Sequence, residues 1–235
     1  MEKPLRASRP TEHPQQLYVA WSLQLAALAE GALVSATTGV EAVGQAEDIF
    51  NMMMDSQIQY TKGMEGDGKG VREDQELARG FLQADTVTMN LVLEVVGCAL
   101  MSRSMGISSV LEKCDAVLTK GALIGILPNT YTFQVMLKVW RDCNVSDLPS
   151  RAQALFDRIL SAKASDSRPS SPSPSSAVMF SSLLEVWADA NPRQATDILD
   201  RMLALGMSPL PASYAQLMKA WARVGNGEMC EEVLE

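Results

Sequence analysis

The chain of 235 residues has a single histidine, His13, and only four cysteines, Cys98, Cys114, Cys143 and Cys230. One imidazole near the N-terminus leaves no Ser/His/Asp set for nucleophilic catalysis. No two cysteines form a C-x-x-C pair, and zinc sites draw their ligands from such close pairs. Scattered cysteines also exclude a disulfide framework and fit a reducing compartment. No apolar run reaches the ~20 residues of a membrane span. The longest, from Leu17 to Val34 and from Thr86 to Met101, carry polar breaks and read as helices packed within a protein. Glu228, Glu231, Glu232 and Glu235 recur at helical spacing. They read as a solvated face, because a cation site needs ligands converging from several directions. These absences predict no enzyme, no cofactor, no metal, no membrane partner and no small-molecule substrate.

Positive charge is also short. The net charge is −8 and the pI about 4.8, whereas a nucleic-acid binder typically carries a basic patch. The acidity is uneven. Residues 1–85 hold seven Lys/Arg against thirteen Asp/Glu, and residues 86–235 hold thirteen against fifteen. Lys113, Lys120, Lys138, Arg141, Arg151, Arg158, Arg193, Arg201, Lys219 and Arg223 are the cations available for a stripe; they also read as ordinary solvated helix faces.

What the chain has is repetition. Phe133 is followed by Met136, Leu137 and Trp140; Phe180 by Leu183, Leu184 and Trp187; Tyr214 by Leu217, Met218 and Trp221. Offsets of three, four and seven residues fall on one helix face. The aromatics are spaced 47 and then 34 residues apart, and a period near 34 with insertions marks a helical repeat array. A second motif follows each first helix. Ala152-Gln153-Ala154-Leu155-Phe156-Asp157-Arg158 corresponds to Ala195-Thr196-Asp197-Ile198-Leu199-Asp200-Arg201. Related forms open at Ala46, and at Cys230 near the end of the chain. Each unit is therefore expected to be two antiparallel helices. A small residue opens the second, which is why Cys114 and Cys230 read as packing positions. The closing turns also correspond. Gly125-Ile126-Leu127-Pro128-Asn129 matches Gly206-Met207-Ser208-Pro209-Leu210, with Gly suited to the left-handed helix end and Pro barring continuation.

The predicted architecture is an all-α solenoid, an α-α superhelix of about five stacked helical hairpins. In such an array each hairpin packs on its neighbours, so length counts repeats. Residues 1–13 read as a disordered tail. Residues 14–60 form a degenerate first unit, with helices at Leu17–Leu28 and Val43–Gln57. Residues 61–84 read as a flexible insertion. Its Gly66-Asp67-Gly68-Lys69-Gly70 lacks the strand and the Gly-Lys-Ser/Thr ending of a phosphate loop. Residues 85–129, 130–176, 177–210 and a truncated 211–235 complete the array. Within the third unit, 164–176 is a Ser/Pro-rich loop. Its Ser171-Pro172 and Ser173-Pro174 read either as phosphorylation sites or as part of a passive linker.

Val87-Thr88-Met89-Asn90, Pro128-Asn129-Thr130-Tyr131-Thr132-Phe133, the Ala-Leu-Phe second helix and the Gly-x-x-Pro turn resemble the pentatricopeptide repeat family, as a P-type-like array with long insertions. The alternative is another helical-hairpin array of the tetratricopeptide class, which usually binds protein. The resemblance implies binding of single-stranded RNA, about one base per repeat, in organelle RNA processing, stability or translation. It implies base reading by the residue after the first-helix aromatic together with the last residue of the repeat. Those positions are Asn90 with Asn129, Gln134 with Ser176, Ser181 with Leu210, and Ala215 in the last unit. Asn90 with Asn129 implies a preference for pyrimidines. Leu210 and Ala215 have no side-chain group to bond a base edge. Val87, Tyr131, Val178 and Ala212 are the implied base-flanking residues, with Tyr131 able to stack. The family also implies a mitochondrion or plastid, yet Met1 to Gln16 is not an acid-poor amphipathic transit peptide. The rival reading is a protein-interaction scaffold on the same fold, which the acidic balance and weak reading pairs favour. A third reading is a fragment of a larger RNA-processing enzyme.

Overall fold

A computed structural model describes residues 14–32, 36–64, 84–165 and 174–232. These are mostly helical, with no strand among the described residues. The helices are α1 (Pro14–Ala32), α2 (Ala36–Met64), α3 (Thr86–Met101), α4 (Ile107–Leu123), α5 (Thr130–Asp142), α6 (Leu148–Ser165), α7 (Pro174–Ala190), α8 (Pro192–Ala204), α9 (Pro211–Val224) and α10 (Gly227–Glu232). Two compact units divide the chain. The first is Met1–Gly106 with Thr119–Ile126, and the second is Ile107–Leu118 with Leu127–Glu235.

In the first unit α1, α2 and α3 pack on one another. Helix α3 is apolar almost all round, so it must be buried on several sides. Met89, Val92, Leu93, Val95 and Val96 are indeed at most 1% exposed, and they meet a core that includes Leu25, Val43, Phe50 and Met53. Gly39 lies where an added Cβ would collide with the Ser104 side chain, so the start of α2 requires a residue without one. A Cβ at Gly121 would stand 2.8 Å from Met89 Sδ, so α4 closes tightly on α3 there. Lys120 Nζ donates to Asn51 Oδ1 at 2.9 Å, tying α4 to α2.

In the second unit α7 packs on both α5 and α9. Helix α6 packs on α5 and α7, and α8 packs on α7 and α9. Each second helix therefore covers the first helix of its own pair and that of the next. Phe133, Phe156 and Phe180 run through this core edge to face, with centroids 6.2 Å and 4.6 Å apart. Such pairs contribute about 0.5–1.5 kcal/mol each beyond their area. Arg201 of α8 lies 5.7 Å and 5.9 Å over the rings of Phe156 and Phe180, and pairs with Asp157 at 3.7 Å.

The helix ends recur as the residue patterns require. Asp85 caps α3 through a capping box with Thr88, and Asn129 caps α5 through one with Thr132. Gly125 and Gly206 have φ of 79° and 70°, as expected for the turns before Pro128 and Pro209. In each turn the glycine N–H bonds three residues back and the next N–H five back, which satisfies the last carbonyls of α4 and α8. Gly225 closes α9 in the same way.

Several boundaries differ from the sequence reading, with α1 spanning Pro14–Ala32 rather than Leu17–Leu28 and α2 starting at Ala36 rather than Val43. Helix α2 runs to Met64 rather than Gln57, because only Gly63 weakens the intervening stretch. Residues 61–64 thus belong to a helix rather than to the insertion. Helix α6 reaches Ser165 and α7 begins at Pro174, so both ends of the Ser/Pro-rich stretch are helical. Pro174 fits there because a first-turn proline loses no helical bond. The expected tail 1–13, the rest of the insertion (65–83), the loop 166–173 with Ser171 and Ser173, and the Cys230 side chain lie outside the described residues.

Candidate nucleic-acid interface

The positions expected to flank bases are all at the surface. Val87, Tyr131 and Val178 are 54%, 52% and 47% exposed, and Ala212 is exposed too. Val87, Tyr131 and Ala212 are each the second residue of a first helix, and Val178 lies one turn into its own. In the second unit, Tyr131, Val178 and Ala212 stand on three helices that pack in sequence, α5 on α7 on α9.

The positions expected to read bases are placed differently. Asn90, in the first unit, is buried at 4% exposure. Asn129, in the second, spends its Oδ1 on the cap of α5, accepting from Thr132 N at 3.0 Å and Thr132 Oγ1 at 3.2 Å. Gln134 Nε2 donates to Ser182 Oγ at 2.9 Å, linking α5 to α7. Ser176 is not a loop residue but a buried one within α7. Ser181 Oγ is buried without a hydrogen-bond partner. Leu210 is 49% exposed at the N-cap of α9, where it makes no side-chain bond, and Ala215 is half-buried. Asn129 is thus engaged in capping a helix and Gln134 in joining two.

Charged residues on the same first helices form a pattern that the family resemblance did not single out. Five residues after the aromatic come Lys138 on α5, Glu185 on α7 and Lys219 on α9. Arg141 Nη2 pairs with Glu185 Oε2 at 3.2 Å. Arg223 Nη2 donates to Asp189 Oδ1 at 2.9 Å and to the Ala188 carbonyl at 3.5 Å. Asp189, Gln216, Lys219, Ala222 and Arg223 line a shallow groove on α7 and α9. The constant offset from the aromatic was visible in the sequence; the pairing was not.

Several of the expected stripe cations are likewise engaged. Arg151 pairs with Asp147 at 2.9 Å and Asp115 at 3.5 Å, and the Asp147 hydrogen bond raises its pKa further. Arg201 pairs with Asp157. Burial, with Asp115 and Cys143 nearby, pushes the Cys114 thiol up to about 12. Burial and Asp142 raise Cys143 as well. Both thiols are therefore protonated at neutral pH and poor nucleophiles. Among the described residues no group of His, Cys, Asp or Glu converges to hold a metal ion, and no helix is long and apolar enough to cross a membrane.

No protein-family model matches the chain, and no curated protein matches it.

Proposed function

We propose that the helix pairs stack as a solenoid of the pentatricopeptide type and hold single-stranded RNA along the first helices, without catalysing a reaction. In this reading the protein grips RNA through stacking and backbone contact more than through base edges. The observation that carries it is the set of exposed residues near the starts of the first helices in the second unit, with Tyr131 half-exposed and Val178 and Ala212 on the helices that follow in the packing order. An exposed aromatic is a sequence-tolerant platform worth about 1–3 kcal/mol per stacked base. The engaged state of Asn129 and Gln134 argues against strict sequence reading. A role in organelle RNA processing, stability or translation follows from the family resemblance.

The test is binding of the full chain to a randomised single-stranded RNA pool across a salt series. The expected result is salt-sensitive binding that weakens about tenfold or more in Tyr131→Ala, with little enrichment of any sequence. Strong enrichment abolished by Asn90→Ala would replace this with base reading by Asn90. Absence of binding at low salt would remove RNA altogether.

One observation favours a protein-interaction scaffold instead. Arg141 and Arg223 are already neutralised by Glu185 and Asp189, and the chain carries a net charge of −8. An apolar row on an acidic background suits a peptide partner better than a polyanion. Retention of a protein partner together with the failed RNA assay would select that reading.

A further inference from the structure

Within the second unit the first helices alternate in charge. Helix α5 presents Lys138 and Arg141, α7 presents Glu185 and Asp189, and α9 presents Lys219 and Arg223. The acidic helix packs between the two basic ones, and each of its carboxylates takes an arginine from a different neighbour.

We propose that Glu185 and Asp189 are an internal mask for RNA, holding Arg141 and Arg223 in the way that backbone phosphates of a bound strand would hold them. This rests on the RNA reading above. A guanidinium bonds a carboxylate and a phosphate through the same planar donor fork, so the two acceptors compete for it. The pairs are suited to exchange because they are exposed. The side chains are 43% and 43% exposed in one and 56% and 69% in the other, and surface pairs of this kind are weak. Lys138 and Lys219 are exposed on either side of the acidic helix and would meet the same strand. Helix α7 also opposes a polyanion directly, since its carboxylates repel phosphates once the arginines have left. The mask therefore lowers affinity twice and makes its dependence on salt shallower than the unmasked arginines would give.

The test compares the full chain with E185Q/D189N, in which amides keep the shape and remove the charge. D197N/D200N is the reference. Asp197 and Asp200 are exposed on the second helix α8, so the net charge changes equally away from the first helices. Binding of a short fluorescein-labelled single-stranded RNA pool is read by anisotropy between about 50 and 200 mM salt. E185Q/D189N is expected to bind roughly tenfold tighter at low salt. Its slope of log affinity against log salt should steepen by about 1.4, for two more phosphates neutralised. Adding R141Q/R223Q should abolish that gain, which a variant that merely loosened the fold would not show. An equal gain in D197N/D200N would make the effect one of bulk charge and overturn the mask. Unchanged affinity in E185Q/D189N, with the parent chain still binding, would overturn the mask and leave the RNA reading standing. If neither chain binds at low salt, both fall.

Discussion

Trp221 Nε1 donates to Thr196 Oγ1 at 3.1 Å, so the first helix of one pair is bonded to the second helix of the pair before it. The preceding pair repeats the arrangement, with Trp187 Nε1 donating to Gln153 Oε1 at 3.1 Å. Thr196 and Gln153 hold the same place in their motifs, immediately after Ala195 and Ala152. A threonine and a glutamine differ in length and chemistry but share an acceptor oxygen. What recurs is therefore the bond rather than the residue.

Thr196→Val should then strand a buried donor. Trp221 is 3% exposed, and the valine keeps the shape of threonine while removing the acceptor. A loss of about 1–3 kcal/mol is expected from urea unfolding. A change below about 0.3 kcal/mol would mean that the bond contributes nothing net.

Trp140 supplies the opposite case. It sits at the equivalent place on α5, is 4% exposed, and its Nε1 has no partner. The corresponding motif residue is Asp115, which follows Cys114 and faces Arg151 at 3.5 Å. Trp140→Phe should cost less than Trp221→Phe by about 1 kcal/mol, because only the second gives up a hydrogen bond. Equal costs in calorimetry or urea titration would refute the distinction.

Helix α9 lacks the cap that α3 and α5 possess. Asp85 and Asn129 stand three residues before Thr88 and Thr132, and Leu210 stands three before Ser213. Leu210→Asp should complete the pattern and stabilise the chain by about 0.5–2 kcal/mol, since capping side chains differ from apolar ones by that amount. A lower unfolding midpoint would show that the exposed leucine side chain matters more than the cap.

The Cys114 thiol gives a pH prediction. Its pKa rises from 9.0 to about 12 on folding, led by burial. The protonated form is the folded one, so the unfolded chain loses its proton first as pH rises. This stability is fully present below about pH 9 and is lost between 9 and 12. Cys114→Ala, which installs the residue found at Ala152 and Ala195, should flatten the fall in stability over that window. An unchanged alkaline limb would place the titration elsewhere.

The paired helices were legible because their signals are local. Offsets from Phe133, Phe180 and Tyr214 gave the buried faces, and Gly125 with Pro128 and Gly206 with Pro209 gave the turns. The extension of α2 to Met64 was missed because a charged, glycine-containing stretch hides the boundary. The candidate interface was half legible. The positions of Tyr131 and Val178 follow from helix phase alone. The engagement of Gln134 by Ser182, and of Arg223 by Asp189, depends on which helices adjoin. Those partners are 48 and 34 residues away in the chain, beyond any local pattern.

The tryptophan donors have one more consequence. Each finds its acceptor at a fixed motif position in the pair that precedes it, whatever that pair's remaining sequence. Excision of 177–210 would bring Trp221 to Gln153, an acceptor that already serves Trp187. The joint is thus interchangeable between these two pairs, so that a hairpin gained or shed there would leave the seam's donor and acceptor in place.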